Sequence, residues 1–183
     1  MNFFRIFLIF FLIPVFFSPV HSSQKNTLNK LFDKLEKVNN IKTAELLEKK
    51  IWSIWNEHPN DIKLTAKLAF GAELIQYGNY DYALKVFDNI LATDPGWSEA
   101  WNKRATVFFL MKQYTKSLSD IEKVLKIETR HFGALSGQAR IFIKLQEYEK
   151  AIISLRKALK FYPSFRSGEL IPEIERLIKE ESI

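Results

Sequence analysis

The chain has 183 residues, a formal net charge of +6 and no cysteine, and 47% of its residues are hydrophobic. This length suits a single domain with its own core, and the missing cysteines exclude disulfides, thiolate metal sites and thiol catalysis. Basic and acidic residues are interspersed rather than gathered in runs, and no base-stacking motif accompanies them, so we expect no nucleic-acid binding.

The chain begins with the features of a secretory signal peptide. Arg5 precedes an apolar run over residues 6–17, and Val20 and Ser22 form the small-residue pattern of a cleavage site. The run is shorter than the roughly 20 residues of a membrane-spanning helix, and a proline interrupts it. We therefore expect residues 1–22 to be cleaved after Ser22 and the protein to be exported to a bacterial periplasm. The alternative is a segment that is retained as a membrane anchor, which would be the protein's link to a membrane.

Two helical patterns follow, in "NTLNKLFDKLEKVNN" and "IKTAELLEKKIWSIWNEHP". Apolar residues recur on one side of each at helical spacing. Their spacing does not fit the repeat that comes next, so we expect residues 23–63 to form a degenerate hairpin that covers the N-terminal end of the fold. The apolar positions are Leu31, Leu35, Val38, Ala44, Leu47, Ile51, Ile54 and Trp55.

Three segments then repeat one pattern at a step of 34 residues, which places Tyr80, Tyr114 and Tyr148 at matching positions. From each tyrosine, apolar or small residues occur at offsets of 0, 3, 4, 7, 10 and 11, which trace one stripe of an α-helix. A second helical pattern precedes each stripe and carries a small residue where the paired helix can approach closely. These small residues are Gly71, Ala105 and Ala139. Each unit is therefore predicted to be a helical hairpin.

This pattern resembles the tetratricopeptide repeat (TPR) family. The resemblance covers residues 64–165 and rests on the 34-residue period and on the aromatic, small and proline positions of the family. The matching residues are Trp101, Ala105, Tyr114, Ile121 and Val124 in the middle unit, and Ala139, Tyr148, Ala151, Leu155, Ala158 and Pro163 in the third. The departures are Lys67 and Leu135 in place of the tryptophan, Ser117 in place of the alanine, and Thr129 in place of the proline.

The resemblance implies an all-α fold, a right-handed superhelical stack of antiparallel helical hairpins. We predict TPR units over residues 64–97, 98–131 and 132–165. In residues 166–183, Pro172 is placed to start an amphipathic helix. We expect that helix to cap the third hairpin, because the end of a repeat stack needs a cover with a polar outer side.

Candidate catalytic groups are few. His58 and His131 lie near turns between hairpins without a metal-ligand spacing, and the chain has no nucleophile elbow and no phosphate-binding glycine loop. We predict a non-catalytic protein without a cofactor or a metal site, and the alternative is a helical enzyme with an unrecognised acidic site. Trp52 and Trp97 fit a core position and a surface position about equally well.

The resemblance also implies that a partner binds on the inner surface, which the first helix of each hairpin forms. Some relatives grip a terminal carboxylate there, but Gly133 and Gly137 stand where two of the basic residues would be, so we do not expect that activity. We predict an adaptor or scaffold of the cell envelope that binds a protein segment with an apolar anchor and acidic residues. The alternative within binding is a membrane-tethered assembly factor. The predicted partner-binding residues are Leu68, Ile75, Gln76, Asn102, Thr106, Phe109, Ser136, Arg140, Ile143 and Lys144. The four apolar ones also fit contacts with a neighbouring helix or with the C-terminal cap.

Overall fold

The computed structural model describes residues 19–181, and the surroundings of the side chains from residue 23 to residue 180. The predicted signal segment, residues 1–22, lies outside the described residues except for its last four, which begin the first helix. None of the helices in residues 19–181 is long and apolar enough to cross a membrane. The helices are α1 (Pro19–Leu35), α2 (Ile41–Asn56), α3 (Ile62–Gln76), α4 (Tyr80–Thr93), α5 (Ser98–Leu110), α6 (Tyr114–Ile127), α7 (Phe132–Lys144), α8 (Tyr148–Phe161) and α9 (Ile171–Glu181), with a 3₁₀ helix (Arg166–Leu170) before α9.

Short polar side chains start several of these helices. The carboxylate of Asp61 accepts hydrogen bonds from the backbone N–H groups of Lys63 and Leu64, at 2.7 and 3.2 Å, and so caps α3. These two bonds lower the pKa of Asp61, because they favour its charged form. Asn40 caps α2 in the same way through the N–H of Thr43. Each cap satisfies donors that the first turn of a helix leaves unpaired.

The first helix of each repeat ends in the same left-handed turn. Gly78, Lys112 and Gln146 follow one another at the 34-residue step and have φ values of 71°, 58° and 60°. After each, the backbone N–H of the next residue reaches a carbonyl of the helix five residues back, at 2.8 Å in all three turns, which is the Schellman motif. The turn recurs even though only the first unit has a glycine there.

The predicted stripe on the second helix of each hairpin forms the core, which confirms that part of the prediction. Phe87, Ile121 and Leu155 occupy equivalent places and are 0%, 2% and 1% exposed. The residue that faces each of them on the first helix is complementary in size, so that the largest side chain faces the smallest residue. A Cβ atom at Gly71 would lie 2.6 Å from the Phe87 ring, whereas the smaller Ile121 and Leu155 pack in clusters with Ala105 and Ala139.

Hydrogen bonds from Arg104 and Ser117 join α5 to its neighbours α4 and α6. The guanidinium of Arg104 on α5 donates two hydrogen bonds to Asp120 on α6, both 2.8 Å, and one to Asp88 on α4. Ser117, one of the departures from the family pattern, is 1% exposed and donates to the carbonyl of Ala105 at 2.7 Å. The serine is tolerated because its buried hydroxyl has a partner.

The C-terminal helix covers the third hairpin, as predicted. Ile174 on α9 is 2% exposed and packs with Ala139, Ile152 and Leu155, while Leu177 lies against the same cluster. Exposed charged residues occupy the opposite side of α9, Glu173 and Arg176 among them. This is the arrangement expected of a terminal cap.

The N-terminal hairpin is present as predicted, but its position differs from the expectation. Its buried residues do not pack in the cluster that α3 and α4 form at the N-terminal end of the stack. They pack in one cluster with Phe132 and Leu135 of α7 and with Ala158 and Tyr162 from the end of α8. The hairpin residues of this cluster are Phe32, Leu35, Ala44, Leu47, Ile51 and Trp55. The hairpin therefore closes against the third repeat.

Aromatic stacking and polar contacts explain that position. The Trp55 ring stacks on His131, with ring centroids 4.0 Å apart and planes 7° from parallel, and its centroid lies 5.0 Å from that of Phe132. The Tyr162 hydroxyl donates to Glu48 at 3.0 Å; burial and this nearby carboxylate raise the pKa of Tyr162. Because these partners lie in the second half of the chain, the spacing of the hairpin's own residues does not reveal them.

Candidate functional site

A groove of about 420 Å³ opens on the inner surface of the second and third repeats. We call this cavity the groove. Its lining comes mainly from α5 and α7, and is completed by Trp52 of α2, by Ser117 and Ile121 of α6, and by Phe165 and Ser167 after α8. Five of the predicted partner-binding residues line it, namely Asn102, Thr106, Phe109, Ser136 and Arg140.

The two cations of the groove differ in their surroundings. Lys103 lies 3.0 Å from Glu99 as an ion pair and 5.9 Å from the Trp52 ring centroid. Arg140 is exposed, and among the described residues no ion pair or side-chain hydrogen bond involves it. A carboxylate that enters the groove could therefore pair with the Arg140 guanidinium without displacing another anion.

A buried polar network lies beneath the groove. Glu99 and His131 are both 0% exposed, and Nε2 of His131 lies 3.0 Å from Oε2 of Glu99. Nδ1 of His131 accepts a hydrogen bond from the backbone N–H of Ala134 at 3.1 Å. This bond leaves the ring proton on Nε2, where it is donated to the carboxylate. Asn102 also donates to Oε2 at 3.1 Å, so the network orients a side chain of the groove wall.

The same network perturbs the carboxyl group. Burial on its own raises the pKa of Glu99, but the hydrogen bond from His131 and the charge of Lys103 outweigh it and hold the pKa below its ordinary value of 4.5. Glu99 is therefore a buried anion that anchors the start of α5 to the start of α7. His131 also stacks on Trp55, so the N-terminal hairpin contacts the same network.

The other predicted site residues lie elsewhere. Leu68 is 1% exposed and packs with the core cluster of α3 and α4, so its placement on the binding surface was wrong. Ile75 lies partly buried against the same cluster, and Ile143 lies partly buried against the cluster under α9, so the alternative of packing holds for these two. Gln76 and Lys144 are exposed at the ends of α3 and α7 and do not line the groove.

Sequence reasoning missed the contribution of the N-terminal hairpin to the groove. The Trp52 ring lies over Gly133, where a Cβ atom would be 2.5 Å from the ring carbon Cη2. Trp52 thus occupies the space beside Gly133, one of the two glycines that led us to expect no terminal-carboxylate site. Its Nε1–H donates to Glu48 at 3.2 Å, which fixes the ring. Trp97, by contrast, is a core residue, 6% exposed.

No part of residues 23–180 brings three or more histidine, aspartate or glutamate side chains together in a way that could hold a metal ion. The two histidines considered as candidate catalytic groups contact other residues of the fold. His58 lies 2.8 Å from Asp94 and edge-on to Trp97, and His131 is held by Glu99 and Ala134.

Comparison with known proteins agrees with this fold. A curated TPR repeat-containing protein of Rhizobium etli is 38% identical over 116 residues, which are 63% of this chain and 56% of the relative. Over this region the chain is similar to a TPR repeat-containing protein. It spans about half the length of that relative. The family model described as anaphase-promoting complex, cyclosome, subunit 3, matches residues 76–158.

Solved structures with TPR folds superpose on the chain at low sequence identity. The first TPR domain of Spaghetti (RPAP3), bound to the HSP90 peptide SRMEEVD, gives a TM-score of 0.60 at 20% identity and covers 64% of this chain and 94% of that one. The translocator chaperone SycD of Yersinia enterocolitica gives 0.61 at 18% identity, with 68% and 99% covered. The TPR2B domain of yeast Sti1, in its pHsp70 complex, gives 0.56 at 19% identity, with 67% and 98% covered. These likenesses support the helical TPR stack.

Proposed function

We propose that this protein is a non-catalytic adaptor that holds a segment of a partner protein in the groove. The observation that carries the proposal is the position of Arg140, an exposed cation without a partner in the described residues, on the same cavity as Phe109 and Trp52. An apolar side chain against Phe109 and a carboxylate paired with Arg140 would be bound about one helical turn apart, because Phe109 is equivalent to Ile143, three residues beyond Arg140. The segment we propose therefore combines an apolar anchor with acidic residues.

The bound peptides of structural neighbours support this kind of partner. The RPAP3 domain binds SRMEEVD, which contains apolar and acidic residues together. The way the peptide ends are held would differ here, because Trp52 and not a cation lies beside Gly133. We propose that an acidic side chain within the partner segment, paired with Arg140, sets the orientation of that segment. A terminal carboxylate held by a cluster of basic groove residues would not have this role here.

The remaining polar groups of the groove would bind the backbone of that segment. Asn102 and Thr106 lie on successive turns of α5, and Ser136 faces Ser167 with their hydroxyl oxygens 2.9 Å apart. Hydroxyl and amide groups both donate and accept, so they suit an extended chain whose own N–H and C=O groups need partners.

Cross-linking tests the groove directly. A photo-reactive residue at Thr106 should cross-link the partner in extract of the producing cells, and the same residue at Ser119, exposed on α6, should not. Arg140→Glu should abolish the product, whereas Lys123→Glu, the same charge change on the exposed side of α6, should leave it. A product at Ser119 of equal intensity, or one that survives Arg140→Glu, would refute the groove as the binding site.

We further propose that the adaptor acts in the bacterial cell envelope, in the periplasm after cleavage behind Ser22. The support is the basic residue, apolar run and small-residue pattern of residues 1–22. Gln24 of α1 donates to the backbone carbonyl of Glu57 at 3.1 Å, and cleavage after Ser22 would leave this contact in place. Mass spectrometry of the protein from fractionated cells should find Ser23 as the first residue, and a membrane-bound chain that begins at Met1 would support the tethered alternative instead.

A further inference from the structure

One side of α3 is exposed although it carries large apolar residues. Ile62, Phe70 and Tyr77 are 79%, 53% and 78% exposed, and the small Ala66 and Ala69 lie exposed between them. At 3.6 residues per turn, these positions and Glu73 fall on one side of the helix, away from the core. We call this surface, made of Ile62, Ala66, Ala69, Phe70, Glu73 and Tyr77, the α3 outer face.

The corresponding surfaces of the other two repeats are covered. Ala66 is equivalent to Ala100 and Ala134 at the 34-residue step, and these alanines are 0% and 1% exposed. Glu73 is equivalent to Val107 and Ile141, both 0% exposed. In those repeats the second helix of the preceding unit packs there, as the contacts of α4 with α5 and of α6 with α7 show. The α3 outer face therefore has the shape that receives a helix.

The N-terminal hairpin does not fill that place, because it packs against the third repeat. We propose that a second copy of this chain covers the α3 outer face, with the two α3 helices antiparallel about a two-fold axis. The arrangement of residues along the face is self-complementary in that orientation. With Ala69 and Phe70 at the axis, Ile62 lies opposite Tyr77 of the second copy, so both ends of the pair are apolar.

Charge favours the same orientation. Lys63 lies near the N-terminal end of α3 and Glu73 near its C-terminal end, and both are exposed. In an antiparallel pair, Lys63 of each copy comes within about one helical turn of Glu73 of the other. Ala66 and Ala69 near the axis let the helices approach closely, since neither has a side chain beyond Cβ.

The size of the face sets the strength of the dimer. The 15 residues of α3 span about 22 Å, and one pair of such helices buries less than the ~800 Å² per partner of a standard stable interface. The dimer should therefore be weak and depend on concentration. It does not involve the groove, so the two proposals stand or fall separately.

Sedimentation of the purified protein over a range of concentrations tests the dimer. The average mass should rise from one chain towards two as the concentration increases. Phe70→Glu should weaken association at least about tenfold, whereas Ile153→Glu, at a site on α8 that is also 53% exposed, should not change it. Glu73→Lys should weaken it as well, and the combined variant Lys63→Glu with Glu73→Lys should restore it, with circular dichroism melting as the check that each variant folds.

The absence of natural cysteine allows a second test. Ala69→Cys should give a covalent dimer on mild oxidation, because the two-fold axis passes beside that position, while Ser119→Cys on α6 should form no covalent dimer. A monomer at every concentration, association that is indifferent to Phe70→Glu, or no recovery in the charge-exchanged variant would overturn the proposal.

Discussion

Two glycines on α7 should respond in opposite ways to the same substitution. Gly133 and Gly137 lie one turn apart on the groove side of the helix. A Cβ atom at Gly137 would meet only Ile121 at 3.7 Å, an ordinary contact, but one at Gly133 would lie 2.5 and 2.8 Å from two carbons of the Trp52 ring. The Gly137→Ala side chain should therefore fit, whereas the Gly133→Ala side chain should push the N-terminal hairpin away from the groove.

Helix propensity and overpacking act in opposite directions on the free energy of unfolding of these variants. Alanine is favoured over glycine in a helix interior by up to about 1 kcal/mol, which Gly137→Ala should gain. Overpacking costs about 1–3 kcal/mol, and Gly133 lies in the first turn, where the helix-propensity gain is smaller. The free energy of unfolding of Gly133→Ala should therefore fall about 1–3 kcal/mol below that of Gly137→Ala, or roughly 2–4 °C in melting temperature for each kcal/mol in a chain of this size.

A second substitution identifies the cause. Trp52→Phe removes the part of the ring that the new Cβ would meet, so it should cost stability in the natural protein but much less in Gly133→Ala. Thermal and urea unfolding of the four proteins gives the coupling, which we expect at about 0.5–3 kcal/mol. Equal melting of Gly133→Ala and Gly137→Ala, or simple additivity with Trp52→Phe, would refute the contact between the hairpin and the groove.

Two further predictions concern the core beneath the site. Because the folded state lowers the pKa of Glu99, this residue contributes its full stabilisation above pH 4.5 and loses it as the pH falls through the pKa of the folded state. Glu99→Gln should therefore lower the free energy of unfolding by about 2 kcal/mol at neutral pH, and that free energy should decline less steeply in acid than in the natural protein. Urea titrations at several pH values measure both effects, and an unchanged decline in acid would count against the prediction. Gly71→Ala should be destabilising in the natural protein but tolerated with Phe87→Leu, because the new Cβ would lie 2.6 Å from the Phe87 ring; a melting curve for Gly71→Ala equal to that of the natural protein would contradict the close packing.

The repeats could be predicted from the sequence because their information is local. The stripe on α8 needs only the apolar spacing from Tyr148 to Leu159, and the partner helix lies a few residues away. The same holds for the groove wall, where the 34-residue step places Thr106 and Arg140 at equivalent positions. These features depend on the helical period and on neighbours in the chain.

The predictions were wrong where contacts between residues far apart in the sequence determine the position of a side chain. Leu68 is equivalent to Asn102 and Ser136, which line the groove, but a leucine at this position turns into the core with Leu64 and Phe87. Trp52 reaches the groove because the N-terminal hairpin packs on a distant part of the chain, where Trp55 stacks on His131 and Trp52 contacts Phe132. Helical spacing assigns each of these residues to a side of its helix, but it does not say which element that side will meet.

The contacts of the N-terminal hairpin bear on how the chain folds. In a repeat array with contacts between neighbours only, units can gain or lose structure one after another. Here Glu48 contacts Tyr162, 114 positions away, and Asn29 contacts Arg130, 101 positions away. These pairings raise the contact order and join the first and last thirds of the chain into one cooperative unit. During synthesis the hairpin must wait, with its apolar side uncovered, until the segment from Arg130 to Tyr162 has emerged from the ribosome.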